Sequence, residues 1–183
     1  MTAVPVKDAY GNPVSSVSRA AVDAYDRGVR GLLGFSADII DSFRAALEAD
    51  PDFVLARAAL GVSLYLAEKM PEGRAEMERA ATAAAAGSGS LTPREKRHVE
   101  ALALWVAGRS NDAIPLIKEV LAGHPRDMLL MQRLYYIYFW LGRSAEMLEL
   151  TQSLLPALGE DGYMLGYHAF ALEENRRFDE ALA

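Results

Sequence analysis

The most apolar stretch of the chain, Met128 to Leu141, is interrupted only by Gln132 and Arg133. Within it, Leu134-Tyr135-Tyr136-Ile137-Tyr138-Phe139-Trp140 carries aromatic rings all round a helix rather than along one stripe. A helix that is apolar on every side is normally buried among other helices. Small and polar residues break the pattern at regular intervals. Leu141-Gly142-Arg143 repeats Ala107-Gly108-Arg109 at a spacing of 34 residues, and Asn175-Arg176-Arg177 occupies the equivalent turn one period later. The pattern predicts helix pairs at 18–34 with 36–49, 52–68 with 71–86, 92–107 with 109–122, and 127–141 with 144–156, then 161–175 and a helix beginning near 177.

Helix-end signals agree with that register. Thr92-Pro93-Arg94-Glu95 reads as a capping box, with Pro93 where a missing N–H costs nothing. Ser36 and Asp161 are placed to cap other helices. Asp50-Pro51 and His124-Pro125 end helices, because proline disfavours a helical conformation in the residue before it. Gly87-Ser88-Gly89-Ser90 lengthens one connection.

A period of 34 residues with two helices per unit is the tetratricopeptide spacing. That repeat places a small residue early in its second helix, a bulky one four later and proline eight beyond. Ala113, Ile117 and Pro125 meet those offsets; Phe43 and Pro51 meet the last two in the first unit, with Ile39 where the small residue belongs. Leu60-Gly61 and Leu64 fill the corresponding part of a first helix. The expected fold is an all-α tetratricopeptide-repeat solenoid of about four and a half antiparallel helix pairs. It would span residues 18–183, after an extended segment over 1–17. The last helix has barely started at Ala183, which leaves its apolar face uncovered; a solenoid truncated at that end is the expectation.

Composition narrows the function classes. Hydrophobic residues make up 51% of the chain, ample for a core, and the absence of cysteine excludes disulfides, thiolate metal sites and cysteine nucleophiles. The net charge of −6 is spread evenly, with no basic face to suggest nucleic acid. Met1 to Ser18 has no signal-peptide pattern, and Met128 to Leu141 is too short and polar to span a bilayer, so a soluble cytoplasmic protein without a membrane partner is expected.

Several stretches carry a closer resemblance. Leu91-Thr92-Pro93-Arg94-Glu95-Lys96-Arg97-His98-Val99-Glu100-Ala101 is one. His124-Pro125-Arg126-Asp127-Met128-Leu129, leading to Tyr138-Phe139-Trp140-Leu141-Gly142, is another; Ser15-Ser16-Val17-Ser18 and Tyr25-Asp26 are further ones. Together they resemble the tetratricopeptide repeat protein 38 family of animals and bacteria. The resemblance runs through almost the whole chain and implies a helical-repeat protein of unassigned role. Members more than twice this length imply that this chain is the N-terminal portion of one. The family offers no catalytic residues to carry over.

Phosphate loops, dinucleotide glycines, paired metal histidines and a serine-hydrolase elbow are all missing. His124 sits at a helix C-terminus, where it suits the dipole. His98 and His168 lie two repeats apart, too far to share a metal when neighbouring helix axes are already roughly 8–10 Å apart. The basic residues near the turns, Arg94, Lys96, Arg97, Arg109, Arg126, Arg143, Arg176 and Arg177, read mostly as solvated faces. In the repeat register Gln132, Tyr136 and Phe139 face the concave groove, with His98 and Trp105 before them, Tyr163 and Phe170 after, and Tyr65 extending the row. Such a groove suits a protein or peptide segment or a small apolar ligand, needs no cofactor, and makes the chain a non-enzymatic scaffold. Gln132, His98 and the tyrosine hydroxyls would supply specificity. The alternative is the helical part of an enzyme or accessory subunit whose active groups lie beyond residue 183. The apolar face from Tyr163 to Leu182 is expected to favour a homodimer.

Overall fold

Each helix pair turns on the same backbone device. The computed structural model describes residues 6–87 and 91–182. Ser88 to Ser90 of the lengthened connection, and the chain end at Ala183, lie outside the described residues, as do residues 1–5 of the N-terminal segment. The first helices of the pairs are α1 (Arg19–Gly34), α3 (Val54–Leu66), α5 (Pro93–Val106), α7 (Met128–Trp140) and α9 (Gly162–Glu174). Their partners are α2 (Ile39–Ala49), α4 (Met70–Ala85), α6 (Ser110–Gly123), α8 (Ser144–Leu158) and the short α10 (Phe178–Ala181). After each first helix one residue adopts the left-handed conformation: Phe35 (φ 56°), Glu68 (62°), Gly108 (78°), Gly142 (67°) and Arg176 (59°). The next N–H then reaches back to the helix: Ser36 to Gly31 O, Lys69 to Leu64 O, Arg109 to Leu104 O, Arg143 to Tyr138 O and Arg177 to Leu172 O, all at 2.9–3.0 Å. These are Schellman closures, which satisfy carbonyls that a helix end would leave bare.

Glycine takes this conformation without strain, whereas a Cβ costs roughly 1–2 kcal/mol there. A Cβ at Gly108 would meet nothing within 4 Å, so only the backbone term applies. Gly108→Ala is therefore expected to lower stability by about 1–2 kcal/mol with no change in fold, read from urea denaturation.

The helices pair in chain order, each packing on the next, and α3 also packs on α5. Among the described residues there is no strand, only an antiparallel bridge between Lys7 and Pro13. No helix among them is long and apolar enough to cross a membrane. The all-α helix-pair solenoid is thus present in the register that Gly108 and Gly142 set. Within pairs, small residues let backbones approach: a Cβ on Gly73 of α4 would lie 2.8 Å from the Gly61 carbonyl of α3. Ala113, Ile117 and Phe43 are fully buried, as their repeat offsets require. Nearly all of α7 is buried from Met128 to Tyr138, in agreement with its all-round apolar sequence.

Of the three expected caps, two form and one does not. The Thr92 box forms completely, with Thr92 Oγ1 accepting from Glu95 N and Glu95 Oε2 accepting from Thr92 N, and Asp161 caps α9 through Met164 N at 3.0 Å. Ser36 does not cap α2. That helix starts at Ile39 behind Asp38, and the Ser36 hydroxyl donates to the Asp38 carboxylate instead. The turn after Phe35 uses up the residues that an earlier helix start would have needed.

Helix α1 packs on α2 but also on α7, three units away, across the inside of the curve.

Candidate binding face

The repeat register predicts that the first helices of successive units share one face; the N-terminal segment covers part of the surface these helices form, while the rest is open. Residues 6–17 and α1 lie over the N-terminal ends of α5 and α7. The segment is pinned by hydrogen bonds to elements far along the chain. Ser15 N donates to Glu95 Oε1 at 2.8 Å, and Arg94 Nη2 donates to Pro13 O at 3.2 Å. Arg126 Nε donates to Tyr10 O at 2.9 Å, and Ala9 N donates to Asp26 Oδ1 at 3.0 Å. Glu95 thus has two tasks: one carboxylate oxygen completes the capping box and the other holds the N-terminal segment.

Beneath this cover sits a buried charge cluster. Arg94 Nη1 donates to Asp127 Oδ2 at 2.7 Å, and His98 Nδ1 lies 3.1 Å from the same oxygen. Asp127 Oδ1 accepts from Leu130 N at 3.3 Å, capping α7. Burial alone would raise the Asp127 carboxyl. The opposing pull of His98 and Arg94 outweighs it and holds the group well below the usual carboxylate range. An ionised carboxylate can only accept, so Nδ1 of His98 carries the proton in this pair. Asp8 lies 3.8 Å from Arg94 and is raised by burial despite that neighbour. The stretches that carry the family resemblance, with Ser15, Asp26, Arg94, Glu95, His98 and Asp127, meet in this cover and cluster.

The eight residues expected on the groove separate accordingly. His98 is 0% exposed and Gln132 2% exposed, so neither lies on an open surface. Gln132 Nε2 donates to Leu32 O of α1 and to Tyr167 Oη, both at 2.8 Å. Gln132 is a strut between α7 and α1, which occupies the space it would otherwise face, while His98 is sealed against Asp127. Arg94 also differs from its expected solvated placement. It shares the buried stripe of Arg94, His98, Ala101 and Leu102, an i, i+4, i+7, i+8 spacing that could have revealed it. Tyr163 is exposed at its edge, while a Cβ on Gly34 would come within 3.3 Å of its hydroxyl, so it borders the end of α1.

The remaining five form the open half, at the C-terminal ends of the first helices. Tyr65 of α3 meets Trp105 of α5 edge-on at 5.3 Å between ring centroids. The Arg133 guanidinium of α7 lies over Trp105, 4.1 Å from its centroid. Tyr136 stands next, 6.4 Å from Phe35. Phe139 contacts Trp140 at 5.2 Å and Phe170 of α9 at 5.8 Å. Tyr65, Trp105, Tyr136 and Phe139 are half-buried, while Phe170, Phe35 and Trp140 are exposed, Trp140 to 80%. The row therefore presents ring faces and edges on a supported surface rather than free side chains. Sequence reading missed Phe35, Trp140 and Arg133 as members of this surface.

Away from the face, His168 Nδ1 lies 2.9 Å from Thr151 Oγ1, and burial lowers its pKa. Among the described residues no three acidic or histidine side chains are grouped to hold a metal ion.

No protein-family model matches this chain. Several solved structures are similar in shape. A MamA structure from AMB-1 is 21% identical, with 87% of this chain and 91% of that chain covered at a TM-score of 0.48. MamA from MSR-1 is 20% identical over 88% of this chain and 90% of that one, at 0.47. A Podosopora anserina putative kinesin light chain with nearly identical TPR-like repeats is 16% identical over 87% and 88%, also at 0.48.

Proposed function

We propose that the chain is a non-enzymatic scaffold of the tetratricopeptide type that binds a protein or peptide segment along the open half of its concave face. The observation that carries this reading is the set of aromatic residues from Tyr65 to Phe170, contributed by four successive first helices, with the Arg133 guanidinium of α7 over Trp105 of α5. Such rings offer large contact area at low entropy cost, and aromatic side chains are enriched among interface anchors. Their rigid backing means that little ordering is needed on binding. The covered half has another part in the same reading: it fixes the spacing of the first helices and so the shape of the row. The finer kinship, with the tetratricopeptide repeat protein 38 family, is part of this proposal and rests on the motifs that converge at the N-terminal cover.

Selection of a random-peptide library displayed on phage tests the reading. Selected peptides should bind the wild-type chain and lose tenfold or more in affinity on Phe139→Ala or Phe170→Ala, about 1.4 kcal/mol or more at one anchor. Circular dichroism should show both variants folded. Peptides whose affinity is untouched by either substitution would move the binding surface elsewhere and sink the proposal.

A further inference from the structure

Beside the aromatic row, a cavity of about 450 Å³ opens between the α1–α2 turn, the end of α3 and the middle of α7. Its walls are mostly apolar, with Leu32, Ile39, Ile40, Leu66, Tyr136 and Trp140 prominent among them. This size and lining suit a small-molecule pocket. One lining residue, Arg133, is charged, and no acidic residue lines the cavity.

Arg133 is chemically incomplete. It is 4% exposed, its Nε is sealed without a hydrogen-bond partner, and no ion pair involves it among the described residues. The guanidinium lies over the Trp105 ring face, with the Tyr136 and Tyr167 side chains near enough to favour its charge. Burial pushes its pKa down to about 10, so it stays cationic at neutral pH. A buried cation with no counter-charge is costly, and natural structures pair such groups. The contrast with Arg94 is direct: Arg94 is as deeply buried, and it has Asp127 at 2.7 Å.

We propose that this cavity binds a free aliphatic monocarboxylate, with its carboxylate paired to Arg133 and its hydrocarbon tail against Leu32, Ile39, Ile40, Leu66 and Trp140. A planar guanidinium matches a carboxylate through two parallel hydrogen bonds. A single cation with no second basic neighbour in the lining selects a monoanion over a phosphate. The polar neighbours select hydrocarbon over peptide behind the carboxylate. Ser63 already donates to Ala59 O at 2.7 Å, and Gln132 has given both amide protons, to Leu32 O and Tyr167 Oη. Neither Ser63 nor Gln132 therefore has a donor left for a peptide carbonyl. The cavity adjoins the peptide row and shares Tyr136 with it, but the row's test substitutions, Phe139 and Phe170, do not line it.

The test is calorimetric titration and thermal melting with decanoate, decanol and decylammonium, each well below its micellar concentration. Decanoate should bind and raise the melting temperature, as any native-state ligand does. Decanol should bind at least tenfold more weakly, and decylammonium not at all. Arg133→Met, which keeps the volume and removes the charge, should lose decanoate affinity tenfold or more and melt above the wild type without ligand. Ala67→Trp, on the exposed rim, should block decanoate while leaving Arg133 in place. Equal affinity for decanoate and decanol, or full decanoate binding by Arg133→Met, overturns the proposal. So does a short leucine-ending peptide that binds through its free carboxylate, and not as the amide, where decanoate fails.

Discussion

Replacing Asp127 with alanine is expected to cost about 3–5 kcal/mol of folding stability, among the largest effects of any single substitution in this chain. The change leaves Arg94 and His98 buried at one site with their shared acceptor gone. It also removes the N-cap of α7, whose loss adds about 1 kcal/mol in typical cases. Asp127→Asn keeps an acceptor without the charge and should fall between wild type and alanine. The same carboxylate sets a pH dependence. Its folded-state pKa lies below the unfolded value of about 3.9, so its contribution is complete above that pH and is lost as the pH falls through the acid range. Asp8 and Asp26 act in the opposite sense. Burial raises both, so their ionisation opposes folding at neutral pH, and that penalty disappears on acidification. Urea titrations at a series of acid pH values should show wild-type stability falling more steeply than that of Asp127→Asn. Parallel curves would mean that the charge of Asp127 contributes nothing to the fold. Because Arg94 also holds Pro13 O, loss of Asp127 should loosen residues 6–17 first, seen as faster amide exchange there.

The second large effect separates core from surface within one helix. Leu134 is fully buried, and Leu134→Ala should cost about 2–5 kcal/mol through lost transfer energy and a residual cavity. Tyr136 is half-buried on the open half, with Tyr135 at 5.7 Å and Tyr167 at 6.1 Å between ring centroids. Tyr136→Ala loses part of an aromatic cluster rather than a sealed side chain, so its cost should be clearly smaller. Denaturation midpoints with unchanged m-values measure both. If Tyr136→Ala is as damaging as Leu134→Ala, the aromatic row is core, and the peptide-binding reading loses its anchors.

Much of the fold was legible in the sequence because its determinants are local. The capping box at Thr92 to Glu95, the prolines after Asp50 and His124, and the recurrence of Gly108 and Gly142 each act within a few residues of chain. They mark helix ends whatever the rest of the molecule does. Buried positions such as Ala113, Ile117 and Leu134 followed from register, since one unit's second helix must pack like the next. Ser36 shows the limit of such signals. A hydroxyl near a helix start can serve the turn before it, and the left-handed Phe35 decided that outcome.

The candidate site was legible only in part, because its limiting contact joins residues 100 positions apart. Gln132 reaches Leu32 O across the curve of the solenoid, and no periodicity in the chain encodes that meeting. The repeat register puts His98, Gln132, Tyr136 and Phe139 on one side of the first helices as an expectation, and the fold seals the first two of them. The register could not say that α1 would pack on α7 and turn Gln132 into a strut between them. The charge on Arg133 was visible as an interruption of the apolar run, but its lack of a partner is a property of the space around it. Helix identity, pairing and register were thus determined by the sequence itself, through short-range capping, turn and patterning forces. Tertiary structure alone decided which inner residues remain open, because solenoid curvature sets the distance between α1 and α7, and that distance decides which polar groups are sealed and which rings face solvent.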